Sequence, residues 1–161
     1  MKYSVRNVRR QDRLLTEQRS LEILEEAEYG VLSLSDRIGE PYCIPVNHIF
    51  DGKNSVYIHC APEGKKLSII RENNKVCFCV IGRVKLQPSK FTTEYESVLL
   101  KGSAHINLSE QERRTALQML VDKLSPQYKE IGAKYIEKSF HRTEVIRVDF
   151  TEFSGKGKFL H

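Results

Sequence analysis

Charged residues interrupt every hydrophobic run in this sequence, so nothing approaches the ~18 consecutive apolar residues that a membrane helix needs. A secretory signal is also missing, because the basic segment 1–10 is followed by neither an apolar core nor a small-residue cleavage site. The expectation is a cytoplasmic protein. No glycine-rich dinucleotide fingerprint occurs, and the turn Gly64-Lys65-Lys66 has His59 five residues before its glycine where a Walker loop requires another glycine. Nucleotide hydrolysis of that type is excluded. No serine stands on a nucleophile elbow, which removes the serine-histidine-acid triad. Cysteine is sparse: Cys43, Cys60, Cys77 and Cys79 fall on strand-like segments, without the closely spaced pairs on knuckle turns that structural zinc prefers. They read as reduced, mostly buried thiols, with no metal and no disulfide framework. Internal repeats and low-complexity segments are absent.

What remains fits one domain, residues 1–161. Apolar residues make up 40% and charged residues 29%, enough for a compact core under a wet surface. Lysine and arginine number 26 against 21 acids, a net charge of +5, which leans towards an anionic ligand or partner. Nucleic acid is a weak candidate for that partner, since the bases are scattered among the acids and the aromatic residues do not interleave with them on one face.

Along the chain, an arginine-rich arm (residues 1–15) precedes a helix that Thr16 caps, running to Glu28 and closed by Gly30. Alternating strands follow from Val31 and from Pro41 to Phe50, separated by a turn at Asp36–Gly39, and then Ser55–Cys60 after Asp51–Asn54. A short helix from Lys65 to Glu72, strands over 75–86 and 95–107, a helix from a capping box at Ser109/Glu112, a second helix after Ser125-Pro126 and a closing strand 143–153 complete the order. Residues 154–161 read as a tail. Gly102 marks a bend or bulge. Strands that follow one another directly predict a mostly antiparallel β-barrel or sheet with helices, an α+β fold, over a parallel doubly wound sheet.

The stretch Tyr57-Ile58-His59-Cys60-Ala61-Pro62-Glu63-Gly64-Lys65-Lys66 places a strand end, a glycine turn and two lysines at a helix start. Helix N-terminal amides carry partial positive charge, and two ammonium groups there cost helix stability unless an anion offsets them. A phosphate is the anion this arrangement suits. His48 and His59 sit on adjacent predicted strands; each, taken alone, is more often a packed or hydrogen-bonded histidine than a catalytic one.

In ordered combination, Gly30-Val31-Leu32, Pro41-Tyr42-Cys43-Ile44-Pro45-Val46, Val56 through Lys66, Val76-Cys77-Phe78-Cys79-Val80, and Thr93-Glu94-Tyr95-Glu96-Ser97-Val98 with Gly102 and Ala104 resemble the Nim (5-nitroimidazole resistance) branch of the pyridoxamine 5′-phosphate oxidase-like flavoproteins. The similarity runs from Arg9 to Lys156. The resemblance implies a split β-barrel homodimer with FMN, or FAD, held between subunits. It assigns Cys43, Ile44, Pro45, Val46, Asn47 and His48 to the strand along the flavin ring. His59 and Cys60 go beside the ribityl chain and phosphate, Lys65 and Lys66 to the phosphate, and Tyr95, Ser97 and Val98 to the neighbouring subunit's share. His59 is the side chain implied nearest the substrate, as proton donor or anion-orienting group. Oxidase members carry an arginine where this chain has Cys43, so their vitamin-phosphate chemistry does not carry over. The activity implied is flavin-dependent reduction of a small-molecule electron acceptor, a nitroaromatic compound, with NADH or NADPH visiting transiently. A flavin carrier without turnover and a basic nucleic-acid-binding barrel are the alternatives.

Overall fold

Period-two alternation sets the sheet. In Tyr29–Ser35 the residues Gly30, Leu32 and Leu34 turn inward, and Val76, Phe78 and Val80 do the same in Lys75–Gln87. The computed structural model describes residues 1–6 and 8–160; position 7, within the expected arm, and position 161, at the end of the expected tail, lie outside the described residues. The elements are β1 (Lys2–Tyr3), α1 (Glu17–Glu26), β2 (Tyr29–Ser35), β3 (Pro41–Asn47), β4 (Ile49–Phe50), β5 (Ser55–Cys60), α2 (Lys65–Glu72), β6 (Lys75–Gln87), β7 (Thr92–His105), α3 (Glu110–Leu124), α4 (Lys129–Ser139) and β8 (Glu144–Lys158).

Seven strands join in the order β3-β2-β6-β7-β8-β5-β4, every pairing antiparallel, and β1 lies parallel to β8. The sheet curls until β3, at one end, comes alongside β5, near the other. No ladder joins those two strands. The result is a split barrel, as the family resemblance implies, and mostly antiparallel, as expected from the strand order. Inside it Leu32, Ile58, Phe78, Val80, Val98, Leu100, Ile146 and Val148 are completely buried, each such side chain contributing roughly 1.5–3 kcal/mol of hydrophobic stabilisation. α1 and α2 close the interior with Ile23 and Leu24 and with Leu67, Ile69 and Ile70. A second core forms outside the barrel, where Ala116, Leu117 and Leu120 of α3 and Ile136 of α4 pack over Val145.

Several elements differ from expectation for local reasons. Gly30 does not end α1. The helix stops at Ala27, and Gly30 lies inside β2, where a Cβ would come within 2.4 Å of the Phe78 ring. The arm is not a free solvated segment: β1 pairs with β8, Leu14 bridges to Lys156, and Leu15 is buried. Residues 154–158 of the expected tail belong to β8, which continues to Lys158 against β7. Gly102 does mark a bulge, with the register of β7 on β8 shifting between Lys101 and Gly102. The helix expected after Ser125-Pro126 begins as a 3-10 turn, Pro126–Tyr128, before α4 proper.

Candidate functional site

The site lies where the barrel fails to close. β3 is hydrogen-bonded only to β2, so its other edge carries free backbone groups; Pro41 and Pro45, which would break a central ladder, are tolerated there. β5 pairs along its whole length with β8, but on its other side β4 covers only Val56 and Tyr57. The end of β5, His59-Cys60, therefore faces the bare edge of β3. Between them runs a groove of about 460 Å³ lined by Tyr29, Ile44, Pro45, Val46, Asn47, His59, Cys60, Ala61 and Lys66.

At the β5 end of this groove the chain turns through Gly64 into α2. Gly64 has φ +133°, a conformation that L side chains rarely adopt, and open space where a Cβ would stand. Its carbonyl accepts the amides of Leu67 and Ser68, which leaves the amides of Lys65 and Lys66 ahead of the first intrahelical bonds. No acidic side chain lies in that first turn and none caps it. Two unpaired amides, the positive end of a helix and a half-buried lysine thus converge with no acidic side chain in the helix's first turn to neutralise them.

His59 keeps part of its surface exposed and Cys60 is half-buried, and their titration follows from what covers the rest. Burial lowers the His59 pKa below the usual histidine value, and the nearby Lys66 ammonium lowers it further. The imidazole is accordingly neutral at pH 7, with one nitrogen protonated. Burial raises the Cys60 pKa, outweighing the Lys66 charge, so its sulfur is a thiol and not a nucleophilic thiolate at neutral pH. Asn47 is held in place through its Nδ2, which donates to the Glu28 carbonyl at 2.9 Å.

Of the residues assigned from sequence, the structure brings together Ile44, Pro45, Val46, Asn47, His59, Cys60 and Lys66. His48 is elsewhere. The even-numbered phase of this segment points inward, and His48 follows Tyr42, Ile44 and Val46 into the core. There it is completely buried, its Nε2 2.9 Å from the Leu24 carbonyl and its ring edge-on to Phe78. Cys43, on the opposite phase, is exposed outside the groove beside Ser33. The Lys65 side chain also leaves the groove: its Nζ sits 5.1 Å from the centre of the Tyr42 ring, so only its backbone amide serves the helix start. Val98 is fully buried inside the barrel and presents no side chain to any partner. Tyr95 and Ser97 are half-buried on the outer phase of β7, away from this groove; Ser97 lines a separate hollow with Cys79, Leu99 and Lys156. The cysteines other than Cys43 are half-buried, less enclosed than expected.

Tyr29 and Ala61 are the lining residues that sequence reasoning passed over. Tyr29 could have been found from register, because it stands opposite Asn47 across the β2–β3 ladder.

Residues 16–157 match the family model described as pyridoxamine 5′-phosphate oxidase. The chain belongs to that family. No curated sequence matches it. Among solved structures, a candidate 5-nitroimidazole antibiotic resistance protein from Bacteroides thetaiotaomicron is 23% identical with a TM-score of 0.71, over 90% of this chain and 86% of that one. A FAD-binding protein from Mesorhizobium loti is 18% identical with a TM-score of 0.62, over 90% and 95%. A FAD- and heme-binding protein from Mycobacterium smegmatis is 17% identical with a TM-score of 0.72, over 89% and 71%. At these identities the likeness establishes a shared fold. Within the described residues no helix is long and apolar enough to cross a membrane.

Proposed function

We propose that the groove between β3 and β5 binds a flavin, FMN in the first instance, and that the protein is an oxidoreductase acting on a small electron acceptor of the nitroaromatic class. The observation that carries this reading is the anion seat at Gly64-Lys65-Lys66 at one end of a groove with two bare strand edges. A terminal phosphate suits the seat, and the polar rim of a flat ring suits unpaired backbone amides and carbonyls. Family membership and the flavin named in two of the structural relatives support the choice of ligand.

When bound, flavin supplies two-electron redox chemistry; the chain's own residues bind and orient it. Lys66 and the amides of Lys65 and Lys66 hold the phosphate. The free edge of β3 would meet the polar rim of the ring, and Asn47, tied to Glu28, keeps that edge from shifting. His59, neutral with a proton on one nitrogen, can hand that proton to an acceptor or hold a hydrogen bond to it. We infer further that a second copy of the chain covers the open side of the groove, with Tyr95 and Ser97 of that copy facing it. Ile81, Val84, Leu86, Phe91 and Leu99 leave an apolar surface on β6, β7 and their connecting turn that pairing of two copies would bury.

The test is spectroscopic. Purified protein should show flavin absorbance near 450 nm or acquire it on titration with FMN, and the released cofactor should chromatograph as FMN; FAD would correct the cofactor alone. Lys66→Glu sets a carboxylate against the phosphate and should weaken FMN binding by about 100-fold or more with the circular dichroism spectrum unchanged. Protein that stays colourless in excess FMN and FAD overturns the reading.

A further inference from the structure

Behind His59 a second cavity of about 210 Å³ opens between the barrel and the α3–α4 hairpin. Its walls are mostly apolar: Leu117, Leu120, Val121 and Leu124 lie at the i, i+3, i+4, i+7 spacing along one face of α3, Ile136 faces them from α4, and Ser125, Ser139 and Thr143 add hydroxyls at the edge. Tyr135, largely exposed, stands at the rim. His59 lines both this cavity and the β3–β5 groove, so one imidazole spans the two.

The α3 wall is fixed from several directions. Lys123 Nζ donates to the Ala27 carbonyl at 2.6 Å and to the His48 carbonyl at 3.4 Å. Glu112 at the other end of α3 accepts from Tyr57 Oη at 3.2 Å and from Arg147 at 2.7 Å. The space is therefore bounded by anchored elements on the barrel side.

We propose that this cavity is a binding site for a single-ring, largely apolar organic molecule bearing one hydrogen-bond acceptor, which His59 engages. Size favours one ring: an apolar cavity of about 150 Å³ accepts benzene, so this one matches a ring with a two- or three-atom substituent more closely than two fused rings. Chemistry supplies the polar partner: the His59 imidazole, whose protonated ring nitrogen can donate to an acceptor on the ring, is the polar group that lines both this cavity and the groove. The cavity stands whether or not the groove takes a flavin. Naming its occupant as the electron acceptor rests on the function proposed above.

The probes are acetophenone, ethylbenzene of nearly the same shape without the acceptor, and 2-acetonaphthone with a second ring. Methyl NMR of the full chain, flavin-free and again with FMN added, should show saturable shifts at Leu117, Leu120, Val121 and Leu124 with acetophenone. The naphthyl compound should bind at least tenfold more weakly. His59→Leu should weaken acetophenone at least fivefold and leave ethylbenzene within twofold. Leu124→Phe, at a half-buried position, should fill the space and abolish binding of all three, whereas Leu124→Met keeps it. Absence of saturable shifts at these methyls in both preparations overturns the site, as does equal binding of the one- and two-ring probes. Binding in the flavin-free protein together with refusal of FMN would sink the flavin reading and leave this one intact.

Discussion

His48 shows how a single side chain ties pH to stability. Burial is the main cause that lowers its pKa from 6.5 to about 4, with the Lys123 charge adding to it against the Leu24 hydrogen bond. Between those values the unfolded chain binds a proton that the folded chain refuses. Stability is therefore fully present above pH 6.5 and declines as pH falls towards 4, by about 3 kcal/mol at most from this group. Urea denaturation at pH 7, 5.5 and 4.5 should show the decline, and His48→Gln should flatten it. Gly102 is a second residue whose identity is dictated by its surroundings: an added Cβ would meet the Asp149 carbonyl oxygen at 2.1 Å, a backbone atom that cannot step aside. Gly102→Ala should cost about 2–3 kcal/mol, read as a lowered denaturation midpoint.

At the scale of the element, α3 deserves its anchors because it forms one wall of the cavity behind His59. Ser109 Oγ caps it by accepting the Glu112 amide at 3.2 Å, as the sequence pattern predicted. The reciprocal half of the capping box is diverted: the Glu112 carboxylate turns to Tyr57 and Arg147 and fastens the helix start to the barrel. Ser109→Ala should destabilise the protein by about 1 kcal/mol. Glu112→Gln should additionally broaden the methyl resonances of Leu117 and Leu120 by loosening that wall. Element by element, the helix starts at Thr16, Ser109 and Lys65 were legible in sequence because caps and turns are local chemistry. The strand phase around His48 was equally available, since Tyr42, Ile44, Val46, His48 and Phe50 share one parity, whereas the family resemblance assigns the whole segment 43–48 to the flavin ring irrespective of phase. The cavity was not legible. Nothing in residues 117–124 says which neighbour their apolar face will meet, and it is β5, more than 50 positions earlier, that brings His59 to it.

For the whole molecule, the proposed pairing of copies should strengthen the hold on the proposed ligand, because one chain leaves the groove open on one side. Val84→Glu with Leu86→Asp places charge on the exposed apolar strip. The doubly substituted protein should elute from gel filtration at the monomer mass of 18.7 kDa and bind FMN at least tenfold more weakly than its parent. A parent that is itself monomeric and still holds FMN tightly would remove the need for a second copy.

The bare margin of β3 has one further effect. Unpaired amides along that margin would serve a foreign strand as well as a small molecule, and such templates nucleate fibrils. Proline at 41 and 45 withholds the donors that growth along this margin would need. Pro45→Val should thus leave the monomeric fold intact yet yield thioflavin-positive aggregates in concentrated, ligand-free solution, where the parent stays clear.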